Sequence, residues 1–119
     1  MLSKSWYHGV GVITMFDISD QDIQWVIDHH VLQSNPLILN QMPVKEKRKY
    51  IIICMVIHWI DPNKHYHERE LNDILKPIVD DYVMIRRYLI DYQLMNRTSD
   101  GKDYWLIVDP KDFLRFKIN

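Results

Sequence analysis

The sequence predicts an α+β fold, mainly α: an N-terminal helical arm, three further helices, and a β-hairpin. Three observations predict it. Apolar residues recur at helical spacing in several separate stretches, among them Ile23-Val26-Ile27-His30-Val31 and Leu71-Ile74-Leu75-Ile78. Proline-bearing breaks divide these stretches at Ser34-Asn35-Pro36, Asp61-Pro62-Asn63 and Pro77. After Asp100-Gly101 the period changes to two, with Tyr104, Leu106 and Val108 alternating with Trp105 and Ile107.

Residues 1–16 have no clear period, and Met15 stands as an alternative start just ahead of organised sequence. Ser19 then reads as a helix N-cap, with Asp22 three residues on and Ile18 and Ile23 at the staple positions around it. Asp20 and Asp22 suit the positive end of the helix dipole, and His29 and His30 the negative end. The arm is expected to span residues 1–42, with its helix at about 20–32 and a short apolar connector, Leu37 to Met42, behind it.

Pro43 opens the second part, residues 43–119. "VKEKRKYIIICMVIHWI" starts charged and ends almost wholly apolar. Its β-branched residues favour a strand locally, and its length favours a buried helix. "HERELNDILK" is the next helix, and Asp80 is placed to cap the one after it, "DYVMIRRYLIDY". Asp100-Gly101 takes the positive φ angles of a two-residue hairpin turn. Three helices followed by a hairpin is the order of a winged helix-turn-helix, with Asp109 onward a short C-terminal tail.

Bulk properties narrow the function classes. The chain has 119 residues, enough for one real core, and its net charge of −1 steers it towards neither nucleic acid nor membrane as a whole. Residues 1–43 set Lys4 against Asp17, Asp20, Asp22 and Asp28, and the remainder is mildly basic. A single cysteine, Cys54, sits among apolar neighbours, which excludes a disulfide framework, reads as an inert buried thiol and fits a cytoplasmic protein. No signal peptide is evident at the start, and the longest apolar run, Tyr50 to Ile57, is too short to span a bilayer, so no membrane association is expected.

Three blocks carry a resemblance. "YHERELNDIL", "DDYVMIRRYLIDY" and "LMNRTSDGKDYW" resemble an uncharacterised bacterial domain family that reads Tyr-x-Glu-x-Glu-Leu/Val-Asn, then Arg-Arg-x-Leu, then Asp-Gly-x-x-Tyr-Trp. The matching positions include Tyr66, Glu68, Glu70, Asn72, Arg86, Arg87, Arg97, Asp100, Gly101, Tyr104 and Trp105, and the likeness extends over about Asp17 to Ile107. The family occurs alone and appended to helix-turn-helix transcriptional regulators, so the resemblance implies a setting in gene regulation and carries over no catalytic residue. One position departs: His67 stands where relatives carry the Ser or Thr of a capping box with Glu70.

The two central arginines divide in role. On a helical wheel at about 100° per residue, Arg86 falls at the edge of the apolar face and Arg87 nearly opposite it. Arg86 is therefore expected to pair with an acid of the preceding helix, Glu70 foremost, with Glu68 and Asp73 as alternatives. Arg87 is expected to face solvent and to contact a phosphate or Asp91 one turn away.

With Arg97 and Lys102 on the hairpin and Lys45, Lys47, Arg48 and Lys49 at the charged start of the second helix, Arg87 forms the candidate set for double-stranded DNA binding by a transcriptional regulator. Acids on the outer helix face support the alternative, a non-DNA-binding interaction module that contacts a partner regulator or a second copy through Met84, Phe113, Leu114 and Phe116. The histidines match no zinc spacing, and no phosphate loop or nucleophile motif appears; no metal, cofactor or catalytic activity is expected.

Overall fold

The computed structural model describes residues 16–119; Met15, the alternative start, lies outside them. The element order is α1 (Asp20–His30), β1 (Val31–Ser34), β2 (Leu37–Leu39), α2 (Glu46–Val56), β3 (Tyr66–His67), α3 (Glu68–Leu75), α4 (Tyr82–Asp91), β4 (Met95–Arg97) and β5 (Asp103–Leu106). Short 3-10 turns follow α2 at Ile57–Trp59 and close the chain at Pro110–Phe116. The result is a mixed α and β protein with two small antiparallel sheets, ordered β1-β2 and β3-β5-β4.

Helix α1 starts where its capping box places it. Ser19 Oγ accepts from the Asp22 backbone N–H at 3.1 Å, and Asp22 returns an acceptor to Ser19 N–H at 2.9 Å. It ends two residues earlier than expected. Asn40 supplies the reason: its side chain donates to the His29 carbonyl at 2.8 Å and its backbone N–H to the His30 carbonyl at 3.0 Å. With those C-terminal carbonyls satisfied, Val31 leaves the helix and pairs with Leu39 in a hairpin.

Helix α2 resolves the ambiguous apolar run in favour of helix. Every residue from Tyr50 to Ile57 is buried, so no polar face exists to give the run a period. The helix starts at Glu46, with Lys45 at the N-cap, rather than at Pro43, and α1, α4 and the C-terminal 3-10 turn pack around it. Ile23, Val26, Leu37 and Leu39 from the arm join the same buried cluster as Leu71, Ile85, Leu106 and Phe116.

Three further details differ from expectation. Asp81, not Asp80, precedes α4. The hairpin turn is longer than two residues: Thr98 N–H bonds to Asp103 O at 3.0 Å, leaving residues 99–102 as the loop, and only Gly101 has positive φ, at 72°. The two-residue turn would have required positive φ at Asp100 as well. The tail does not offer its phenylalanines to a partner, because Phe113 and Phe116 are buried and only Leu114 remains exposed. His58 Nε2–H donates to the Phe113 carbonyl at 2.9 Å, and Arg115 ties the tail to the Ile18 carbonyl at 2.9 Å and to Asp20 at 3.1 Å.

Among the described residues no helix is long and apolar enough to cross a membrane.

Candidate functional site, an arginine-lined cleft beside the hairpin

Helix α4 turns Ile85 and Leu89 into the core, which leaves Arg86 on the flank and Arg87 outside, as the helical wheel requires. The second arginine-bearing wall is β4. Its Arg97 lies opposite Tyr104 of β5, and the pair sits beside α4. Between the helix and the hairpin runs a cleft of about 330 Å³ lined by Glu68, Val83, Arg86, Arg87, Ile90, Asp91, Arg97 and Tyr104. Residues from all three blocks that carry the sequence resemblance meet there.

Arg86 is a fixed member of this cleft. One guanidinium nitrogen donates to Asn72 Oδ1 at 2.5 Å and the other lies 3.2 Å from Glu68 Oε1. Its side chain is 19% exposed, while that of Glu68 is 45% exposed. The partner is thus Glu68 and not Glu70, the acid expected foremost. Glu70 is committed to its own helix end: it accepts from the His67 backbone N–H at 3.0 Å and lies 3.4 Å from Lys64. The His67 N–H, and then Lys64, hold the Glu70 carboxyl below the usual range.

The departure at His67 is answered locally. Its Nδ1 faces Asp103 Oδ1 at 2.8 Å, across the β3–β5 pairing. The Lys102 carbonyl accepts from Glu68 N–H at 3.0 Å, so the hairpin loop itself satisfies a donor at the start of α3.

Arg87 and Arg97 are exposed, and neither forms an ion pair among the described residues. Arg87 does not pair with Asp91. Gly101 gives Arg97 room: a Cβ there would lie 3.3 Å from its Nη1. Thr98 Oγ1 donates to Asp100 Oδ1 at 2.6 Å and Asp100 accepts from Lys102 N–H at 3.0 Å, which closes the loop and keeps the Asp100 carboxyl below its ordinary range.

The run Lys45 to Lys49 is a different kind of feature. Lys47 pairs with Asp22 of α1 at 3.0 Å, and Arg48 lies over the Trp25 ring at 3.4 Å from its centroid. Lys49 donates to the Tyr88 hydroxyl at 2.9 Å and lies 3.4 Å from Glu46. The Ser19 backbone N–H first, then Lys47, bring the Asp22 carboxyl down to about 2. These three cations clasp α1 and α4 onto α2; the exposed Lys45 makes no ion pair among the described residues.

No group of three or more His, Cys, Asp or Glu among the described residues could hold a metal ion. His65 stacks on Trp105 at 4.6 Å instead. Cys54 is fully buried, and burial pushes its thiol well above the ordinary range, away from the reactive thiolate. Sequence reasoning missed Tyr104 as a cleft residue. Its hydroxyl donates to Glu68 Oε1 at 3.4 Å, a contact between positions 36 apart that no local pattern announces.

Residues 38–106 match the family described as an uncharacterised protein conserved in bacteria, DUF2087. The chain belongs to this family. The matched span of DUF2087 opens within β2 and closes with β5, so it contains both walls of the cleft and α2, while α1 precedes it and the C-terminal 3-10 turn follows it. Neither the curated proteins nor the solved structures contain a match to the chain.

Proposed function

We propose that this DUF2087 protein binds double-stranded nucleic acid through α4 and the β4–β5 hairpin, in the setting of transcriptional regulation. The observation that carries the reading is topological. Helix α2, strand β3, helices α3 and α4, and then a hairpin whose second strand pairs with β3 follow the order of a winged helix. In that arrangement α4 is the groove-facing helix and the hairpin is the wing. Arg87, Arg97 and Lys102 are exposed on those two elements, and none of them forms an ion pair among the described residues.

The binding is weak and largely indifferent to sequence. Few cations face outward, and Asp80, Asp81 and Asp91 stand on or beside the same helix, where they repel phosphates. Lys47, Arg48 and Lys49 contribute little, since their side chains are held against Asp22, Trp25 and Tyr88 of the molecule itself. Fluorescence anisotropy on random duplex DNA at low salt tests the reading. Micromolar binding should weaken as salt rises, and charge reversal of Arg97 and Lys102 should lower the salt slope by about one per lost phosphate contact. No anisotropy change at micromolar protein would sink it.

A second reading has one observation in its favour. Val83, 49% exposed, stands with the partly buried Met84 on the outer side of α4, an apolar strip bounded by Asp81 and Asp91. Such a strip suits a protein partner or a second copy. A stable dimer whose interface covers α4, seen by light scattering together with no duplex binding, would favour this reading over the first.

A further inference from the structure

The charge pattern of the cleft narrows what it can hold. Arg86 is neutralised and fixed from behind by Glu68 and Asn72. Arg87 and Arg97 both line the cleft, one from helix and one from strand, and neither is ion-paired among the described residues. Two such guanidiniums repel one another unless an anion sits between them or water screens them. Three arginines face two carboxylates, Glu68 and Asp91, so the cleft holds one positive charge in excess. A singly charged oxyanion balances that excess. A dianion would overshoot it and meet both acids. The volume, about 330 Å³, is at the small end for ligand sites and suits one phosphate with its ester groups rather than a whole cofactor.

We infer that the cleft seats a single phosphodiester monoanion between Arg87 and Arg97, with Arg86 as the fixed third guanidinium. Forked guanidinium donors match phosphate oxygens in pairs, and one arginine on a helix with one on a strand grips the group from two directions. The assignment of nucleic-acid backbone as the source rests on the function proposed above; the monoanion preference rests on the cleft alone.

The test follows the guanidinium carbon and nitrogen signals of the arginines by NMR in the full chain, titrated at constant ionic strength and about pH 8, where inorganic phosphate is mainly the dianion, with dimethyl phosphate, inorganic phosphate or sodium chloride. Arg87→Gln, Arg97→Gln and the double variant are compared, with the backbone amide spectrum confirming that each keeps the fold. Dimethyl phosphate should shift Arg87 and Arg97 saturably in the millimolar range, at least as tightly as inorganic phosphate does. Each single variant should bind about tenfold more weakly. Shifts no larger than those from sodium chloride, or unaltered affinity in the double variant, overturn the site. Tighter binding of inorganic phosphate overturns the monoanion assignment.

A duplex arm separates the two proposals. Duplex binding that ignores the double variant leaves nucleic-acid binding standing and removes the cleft from it. Saturable dimethyl phosphate binding without any duplex binding leaves the cleft and removes the nucleic acid.

Discussion

Arg86 and Glu68 meet at 3.2 Å across the boundary between α3 and α4, with Asn72 completing the grip on the guanidinium at 2.5 Å. The pair fastens the two helices and sets one wall of the cleft. Arg86→Ala should lower stability by about 1.5–3 kcal/mol, the range of hydrogen bonds to charged groups. The larger loss that follows stranding a buried acid does not apply, because Glu68 is 45% exposed and water can replace the arginine. Urea denaturation checks the value. A double-mutant cycle with Glu68→Ala should return a coupling of about 0.5 kcal/mol or more; additive losses would deny the pair.

Gly101 has φ of 72° and lies against Arg97. Gly101→Val should destabilise by about 1–2 kcal/mol, since a β-branched residue is strained in the left-handed region. Gly101→Asn should cost less, because asparagine tolerates that region better. Thermal melts of the two variants compare them, and equal losses would place the cost in the contact with Arg97 rather than in the backbone.

Arg48 over Trp25 ties the α1 arm to α2. Arg48→Ala should cost about 1 kcal/mol, the scale of a partly shielded cation–π contact. Arg48→Lys should recover only part of it, since the flat guanidinium is what stacks. Trp25 fluorescence in a denaturation series reports the arm directly, and an unchanged transition midpoint in Arg48→Ala would rule the clasp out as a stabilising contact.

Stability should fall on mild acidification through His58. Burial lowers its pKa from 6.5, while the hydrogen bond to the Phe113 carbonyl partly opposes the shift. The folded protein therefore keeps His58 neutral where the unfolded chain takes up a proton. The contribution is complete above pH 6.5 and is lost as the pH falls from there through the lower folded value. Asp22, Glu70 and Asp100 have lowered pKa values, so their contributions are lost only at more acid pH. Urea midpoints compared between wild type and His58→Gln should be separated above pH 6.5 and converge as the pH falls below it. Parallel pH curves would show that another group titrates.

The sequence by itself determined what depends on neighbours along the chain. The Ser19 cap with Asp22, the helical spacing of Leu71, Ile74 and Leu75, the outward position of Arg87 and the positive φ of Gly101 are all set within a few residues by backbone sterics and local hydrogen bonds, whereas Ile78, expected on the same helix, lies beyond its end at Leu75. The length of the segment from Val44 to Ile60 favoured helix over strand, although the Tyr50–Ile57 run within it has no polar face and left the choice open by periodicity.

Tertiary structure decided what depends on approach between distant segments. Glu68 and Glu70 lie on one short helix about 200° apart on its wheel, and only the side on which α4 packs selects Glu68 for Arg86. Strand β3 has two residues and acquires its identity from Tyr104 and Asp103, far along the chain. The basic run reads as a binding patch in one dimension; in three, Asp22, Trp25 and Tyr88 engage its side chains within the molecule, because burial of α2 brings α1 and α4 against its first turn. The arginine cleft likewise exists only once the helix and the hairpin close upon each other.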